Sequence, residues 1–124
     1  MSIATLNGIL AAALAAAVQT GVEPSDVSIR IIGSGTLECT FQTADGEVRR
    51  QQRARRSGSF ETVRASDALS GQCTYNVPEN RDLHVRIMEA GQFACPFEPG
   101  IAPEECSVTI NGEASGTFDL AQAG

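Results

Sequence analysis

Four cysteines, Cys39, Cys73, Cys95 and Cys106, have the clearest chemical potential in this chain. No two of them form the Cys-x-x-Cys pair that zinc sites and redox motifs usually contain. Each alternates with bulky apolar neighbours, so all four are expected to point inward on strands. An even number of inward cysteines favours two disulfide bonds. Two alternatives stay open: four free core thiols, or a Cys₄ metal site built from distant strands.

The order of the cysteines suggests a connectivity. Cys95 and Cys106 bracket a segment that holds three prolines and has no regular pattern, so a local bridge would fix it. Cys39 would then pair with Cys73 across the core. Each bridge is expected to stabilise the fold by roughly 2–4 kcal/mol. Disulfides also imply an oxidising destination, either outside the cytoplasm or in a released particle.

A basic segment is the second candidate site. The chain has a net charge of −6, its nine cations are all Arg, and five of them fall within residues 49–56. They are Arg49, Arg50, Arg53, Arg55 and Arg56. Three interpretations apply: a solvated edge strand, a phosphate clamp, or a contact with an acidic patch such as Glu98, Glu104 and Glu105 on another subunit. The segment has no aromatic residue for base stacking, and the chain is acidic, so no nucleic-acid partner is expected.

Catalytic motifs are sparse. His84 is the single histidine, the chain has no Gly-x-Ser-x-Gly elbow, and a phosphate loop cannot form without Lys. Adjacent loop carboxylates such as Glu104 and Glu105 are normally solvated. We therefore expect no enzymatic activity, no cofactor and no metal.

The N-terminal segment is expected to form an alanine-rich helix over residues 1–21. Its apolar stripe recurs every four residues, at Leu6, Leu10, Leu14 and Val18. Ser2 can cap its start, and Pro24 prevents its continuation. The alternative is a signal peptide over residues 1–17, although residues 1–20 lack the usual cation. The apolar run is too short to span a bilayer. A retained stripe must be covered, either by its own domain or by a neighbouring subunit.

Residues 22–124 are expected to form a single β domain. Apolar and polar residues alternate through Val27–Ile31, Leu37–Phe41, Leu83–Ile87 and Cys106–Ile110. Hairpin turns are indicated at Asp45-Gly46 and Asn111-Gly112. The pattern predicts a mainly β fold, an antiparallel sandwich or barrel of about seven or eight short strands.

These features favour a non-enzymatic structural subunit of a larger assembly, for example an accessory, cement or connector protein of a phage-like virion. Its partners would be other protein subunits, copies of itself included, and it would reside in a virion or extracellular particle. The alternative is a secreted or periplasmic binding module stabilised by disulfides.

Overall fold

The computed structural model describes residues 23–97, 105–112 and 114–122, which are almost entirely β structure. In chain order the strands are β1 (Ser25–Thr43), β2 (Gly46–Val77), β3 (Asp82–Glu89), β4 (Cys106–Asn111) and β5 (Ala114–Leu120). They form one sheet in the order β4-β3-β1-β2-β5. The expected N-terminal helix, with Leu6, Leu10, Leu14 and Val18, lies outside the described residues.

Strand β1 forms because its apolar residues alternate with polar ones. Val27, Ile29 and Ile31 are buried in its first half, and Leu37 and Phe41 are fully buried in its second. The residues between them are partly or fully exposed on the opposite face. A period of two places all the apolar side chains on one side of a pleated chain. The alternation that predicted strands in this segment is therefore confirmed.

Strand β2 pairs with β1 twice. Partner numbers on β2 fall as those on β1 rise, so the two strands run antiparallel. Residues 46–68 follow the whole of β1, and residues 68–76 pair with residues 36–43. Ala68 consequently lies opposite both Ser25 and Thr43, the two ends of β1. A straight strand of that length would hold its ends about 60 Å apart. The sheet must therefore curl until those ends meet, which makes a half-barrel.

The curl has a local origin at Gly33-Ser34-Gly35. Gly33 and Gly35 have φ values of 115° and 151°, a region open mainly to glycine. A Cβ atom at Gly33 would overlap the carbonyl oxygen of Asp82. The neighbouring β2 carries extra residues here, because its pairing moves from Arg56 to Phe60 while β1 moves by a single residue. Extra residues in one strand of a pair increase bend and twist.

The core fills the inside of this curled sheet. Buried side chains come from all strands except β4, whose Cys106, Val108 and Ile110 are partly buried against the cluster. Its largest fully buried members are Phe41, Ile29, Ile31, Leu37, Leu83 and Leu120. Phe60 is an exception among the aromatic residues, because it is 54% exposed and stacks beneath the guanidinium of Arg30 at 4.3 Å. The interior is thus mainly aliphatic.

The strand count differs from the expected seven or eight. The described residues hold five strands, because several short candidates join into longer ones. Val27–Ile31 and Leu37–Phe41 both belong to β1, which bends at its glycines without losing its neighbours. Strand β2 is likewise continuous over 32 residues. Glycine between two alternating segments can end a strand, whereas here it permits a corner within a continuous strand.

We predict that Gly33→Ala is markedly more destabilising than Gly46→Ala. Both positions have positive φ, 115° and 122°, which should cost roughly 1–2 kcal/mol for an L side chain. A Cβ atom at Gly46 meets nothing within 4 Å, so that variant isolates the cost of the backbone conformation. Gly33→Ala adds the clash with Asp82 and should lose roughly 3 kcal/mol or more. Urea unfolding measures both variants, and equal losses would contradict the proposed origin of the bend.

Candidate functional site

Both disulfides have the expected connectivity. Cys39 bonds to Cys73 and Cys95 bonds to Cys106. Cys39 and Cys73 are fully buried, but they are direct partners on adjacent strand segments, with their Cα atoms 4.0 Å apart. The bridge therefore ties β1 to the last part of β2. It does not cross the core, which corrects the expectation from the sequence.

The second bridge corrects the expectation that all four cysteines point inward. Cys106 is partly buried against the core, but Cys95 is exposed. Phe93 pairs with Gln122 in an isolated bridge, after which the chain leaves regular strand structure. The alternation of a strand therefore no longer governs Cys95. The bond anchors this irregular segment to the start of β4.

The basic segment forms the first part of β2. The outward face of this strand carries Arg49, Arg53 and Arg55, whereas the buried Ala54 lies on the inward face. Arg50 has the inward parity but is exposed, because its only described strand neighbour is β1. Arg56 pairs through its backbone with Gly33, and its side chain lies outside the described part of the structure. The segment is thus an exposed edge within the described sheet.

A cleft of about 590 Å³ lies where the sheet bends. Its lining comes from three places: the bend of β1, β2 before the corner, and the end of β2 with the turn that leads to β3. The lining residues are Ser34, Gly35, Thr36, Arg53, Ala54, Arg55, Asn76, Pro78, Glu79 and Arg81. Three cations thus face one carboxylate in a chain whose total charge is negative. The cleft is a local concentration of positive charge that suits an anion.

Strand register explains how these residues meet. Thr36 is the partner of Arg53 on one side and of Asn76 on the other. These three residues therefore form a row across the sheet, and its ends lie about 10 Å apart at ordinary strand spacing. Arg55 lies two residues after Arg53, on the same face of β2, and pairs with Ser34. Asn80 has a φ of 63° in the turn that carries Arg81 to the other wall.

Several arginines outside the cleft have partners within the protein. Arg49 lies 3.8 Å from a carboxylate oxygen of Glu38, and Arg86 lies 4.0 Å from one of Glu105. Arg30 stacks on Phe60. Among the described side chains, none offers a hydrogen-bond or carboxylate partner to Arg53, Arg55 or Arg81. Within the described part of the structure, the guanidinium groups of the cleft are therefore unpaired and can contact a ligand.

The single histidine lies outside the cleft. His84 is partly buried, and its Nδ1 lies 2.9 Å from the hydroxyl of Thr109 on β4. Within residues 23–97, 105–112 and 114–122, no group of three His, Cys, Asp or Glu side chains could hold a metal ion. The same residues contain no helix that is long and apolar enough to cross a membrane.

Sequence reasoning identified one wall of the cleft and missed the other. Arg53 and Arg55 were candidates because they belong to a cluster, whereas Arg81 stands alone in the sequence. Thr36 and Asn76 resemble any outward-facing strand residues. The turn signal at Pro78-Glu79-Asn80 was available, but nothing in the sequence placed that turn beside the basic segment.

Comparisons of the chain with protein-family models, with curated proteins and with solved structures found no match.

We predict that the two disulfides differ in their effect on stability. Replacing Cys39 and Cys73 together by Ala should lower the free energy of unfolding by roughly 4 kcal/mol, because the bridge closes a 34-residue separation within the core. Replacing Cys95 and Cys106 together should cost roughly 3 kcal/mol or less, since the separation is 11 and the site is more exposed. Urea unfolding under non-reducing conditions compares the two pairs. A larger loss from the second pair would contradict the account.

Proposed function

We propose that this chain is a non-enzymatic structural subunit of a larger protein assembly, such as an accessory, cement or connector protein of a phage-like virion. The observation that carries the proposal is the exposed, arginine-bearing edge of β2. Residues 46–55 pair with β1 on one side, and no described strand pairs with the other side. An unpaired strand edge offers backbone donors and acceptors to another chain.

Charge supports an acidic partner surface for this edge. Arg50, Arg53 and Arg55 are exposed, and the described residues provide them with no carboxylate. The whole chain carries 15 acidic residues against nine arginines, so copies of the same chain could supply the complementary surface. Opposite charges on facing patches direct association and set its orientation. We therefore propose that the edge contacts acidic surfaces of other subunits, including further copies of this chain.

The disulfides support work in an oxidising setting. Cytosolic thiols are generally kept reduced, whereas secreted proteins and proteins at virion surfaces retain disulfides. We therefore propose that the chain resides in a virion or another extracellular particle. The arginine, amide and hydroxyl groups of the cleft suit binding of an anion, and we propose no catalytic step there.

We predict that the oxidised full-length chain associates into species heavier than its 13.0 kDa monomer. The double variant Arg49→Glu/Arg50→Glu should shift the equilibrium towards monomer. High salt should act in the same direction, because the screening length falls from about 10 Å at 0.1 M to about 3 Å at 1 M. Light scattering after size-exclusion chromatography, over a series of concentrations, measures this association.

A matched control is available on the other half of the sheet. Arg64→Glu/Arg86→Glu makes the same charge change, and each pair contains one arginine with a carboxylate neighbour and one without. The control should associate as the unmodified chain does. A chain that stays monomeric at every concentration, or equal losses from both double variants, would refute this assembly edge.

The second candidate is a secreted or periplasmic binding module, and the two disulfides together with the cleft favour it. Its volume of about 590 Å³ lies within the range of small-ligand sites. In this version residues 1–17 are a signal peptide and the cleft binds a soluble anion.

Intact-mass spectrometry of the protein isolated from its natural source separates the two candidates. Loss of residues 1–17 with both disulfides formed, in a chain that remains monomeric, would favour the exported binding module. A full-length chain recovered in a high-mass particle would favour the structural subunit.

A further inference from the structure

We propose that the corner cleft binds an extended segment of a partner protein that carries consecutive acidic residues. The inference deepens the proposed function, on which it rests, by naming the chemistry that a partner subunit presents. Its ligand groups are carboxylates, and its receptor groups are the guanidinium groups of Arg53, Arg55 and Arg81.

The spacing of the arginines favours an extended peptide over a compact anion. Arg53 and Arg55 are two residues apart on one strand, so their Cα atoms are separated by about 6.6 Å. An extended peptide places alternate side chains at the same interval and on the same side. Two acidic residues at positions i and i+2 therefore match this wall. A single phosphate would need the arginines to converge on one point.

Arg81 supplies the third contact from the opposite wall. The residue at position i+1 of an extended peptide points away from its two neighbours. A carboxylate at that position would face Arg81 while the flanking pair face Arg53 and Arg55. Three consecutive acidic residues thus satisfy all three cations. No such run occurs among the 124 residues of this chain, so the segment belongs to a different protein.

Polar groups on the floor complete the site for a peptide. Thr36 and Asn76 lie in the row between the two walls, and their side chains can donate hydrogen bonds to main-chain carbonyls of the bound segment. Glu79 is the one carboxylate of the lining. It opposes an acidic ligand, so its neutralisation should strengthen binding.

Binding of a fluorescein-labelled hexaglutamate peptide to the full-length oxidised chain tests the inference by fluorescence anisotropy. Arg55→Gln and Arg81→Gln should each weaken the affinity by roughly two- to fivefold, the range expected for one exposed ion pair. Glu79→Gln should strengthen it by roughly twofold for the same reason. Arg64→Gln is the control, since Arg64 is exposed, lacks a described carboxylate partner and lies outside the cleft.

Two other anions test whether the cleft prefers an acidic peptide. Inorganic phosphate at equal ionic strength should compete weakly, and a labelled oligothymidylate should bind less tightly than the peptide. Tighter binding of the oligonucleotide than of the peptide would show that the ligand is a nucleic acid and would refute the acidic protein segment. Equal weakening by Arg64→Gln would indicate attraction to net charge and would refute the site. Circular dichroism of each variant confirms that the fold is retained.

The outcome is separable from that of the assembly proposal. Arg81→Gln and Glu79→Gln leave the proposed assembly edge unchanged, so these two variants report on the cleft alone, whereas Arg55 belongs to both. The association variants leave the lining of the cleft intact. Peptide binding by a chain that does not associate would support the cleft and refute self-assembly. Association without peptide binding would support self-assembly and refute the peptide site in the cleft.

Discussion

The structure depends on one constraint, the corner in β1 at Gly33-Ser34-Gly35. A strand of 19 residues would otherwise extend far beyond any core that a chain of this length can fill. Because β1 bends, its two ends reach the same residue, Ala68, and its apolar face encloses an aliphatic interior. The neighbouring β2 accommodates extra residues at the same bend, and the cleft lies beside it, lined by Ser34 and Gly35. The core and the candidate site therefore both adjoin this corner.

The bend also explains why the disulfides are placed as they are. Cys39 and Cys73 join the second half of β1 to the part of β2 that returns along its other edge. This pairing forms only after the chain has curled, so the bond holds the curled arrangement against opening. Cys95 and Cys106 join the irregular residues that follow Phe93 to the start of β4. The first link thus reinforces paired strand segments, whereas the second holds residues that lie outside regular strands.

Alternation at Val27–Ile31, Leu37–Phe41 and Leu83–Ile87 was sufficient to predict the strands, because burial on one face imposes a period of two. The cysteine pairing followed from proximity in sequence and from elimination. The continuity of β1 through its glycines could not be predicted, since the same residues also end strands. Arg81 was missed because its role depends on long-range register, which leaves no local signature. A cluster of like residues, such as Arg53 and Arg55, is visible in a sequence, whereas the opposite wall of a cleft is not.

The central claim is that the bend brings Arg53, Arg55 and Arg81 to one anion site, although Arg81 is distant in sequence. Nuclear magnetic resonance of the arginine Nε–Hε groups, during titration with hexaglutamate, tests it most directly. The account predicts that the signals of these three arginines shift together and saturate at one peptide concentration, while those of Arg64 and Arg86 stay in place. Shifts spread evenly over all nine arginines, or a response from Arg53 and Arg55 without Arg81, would contradict it.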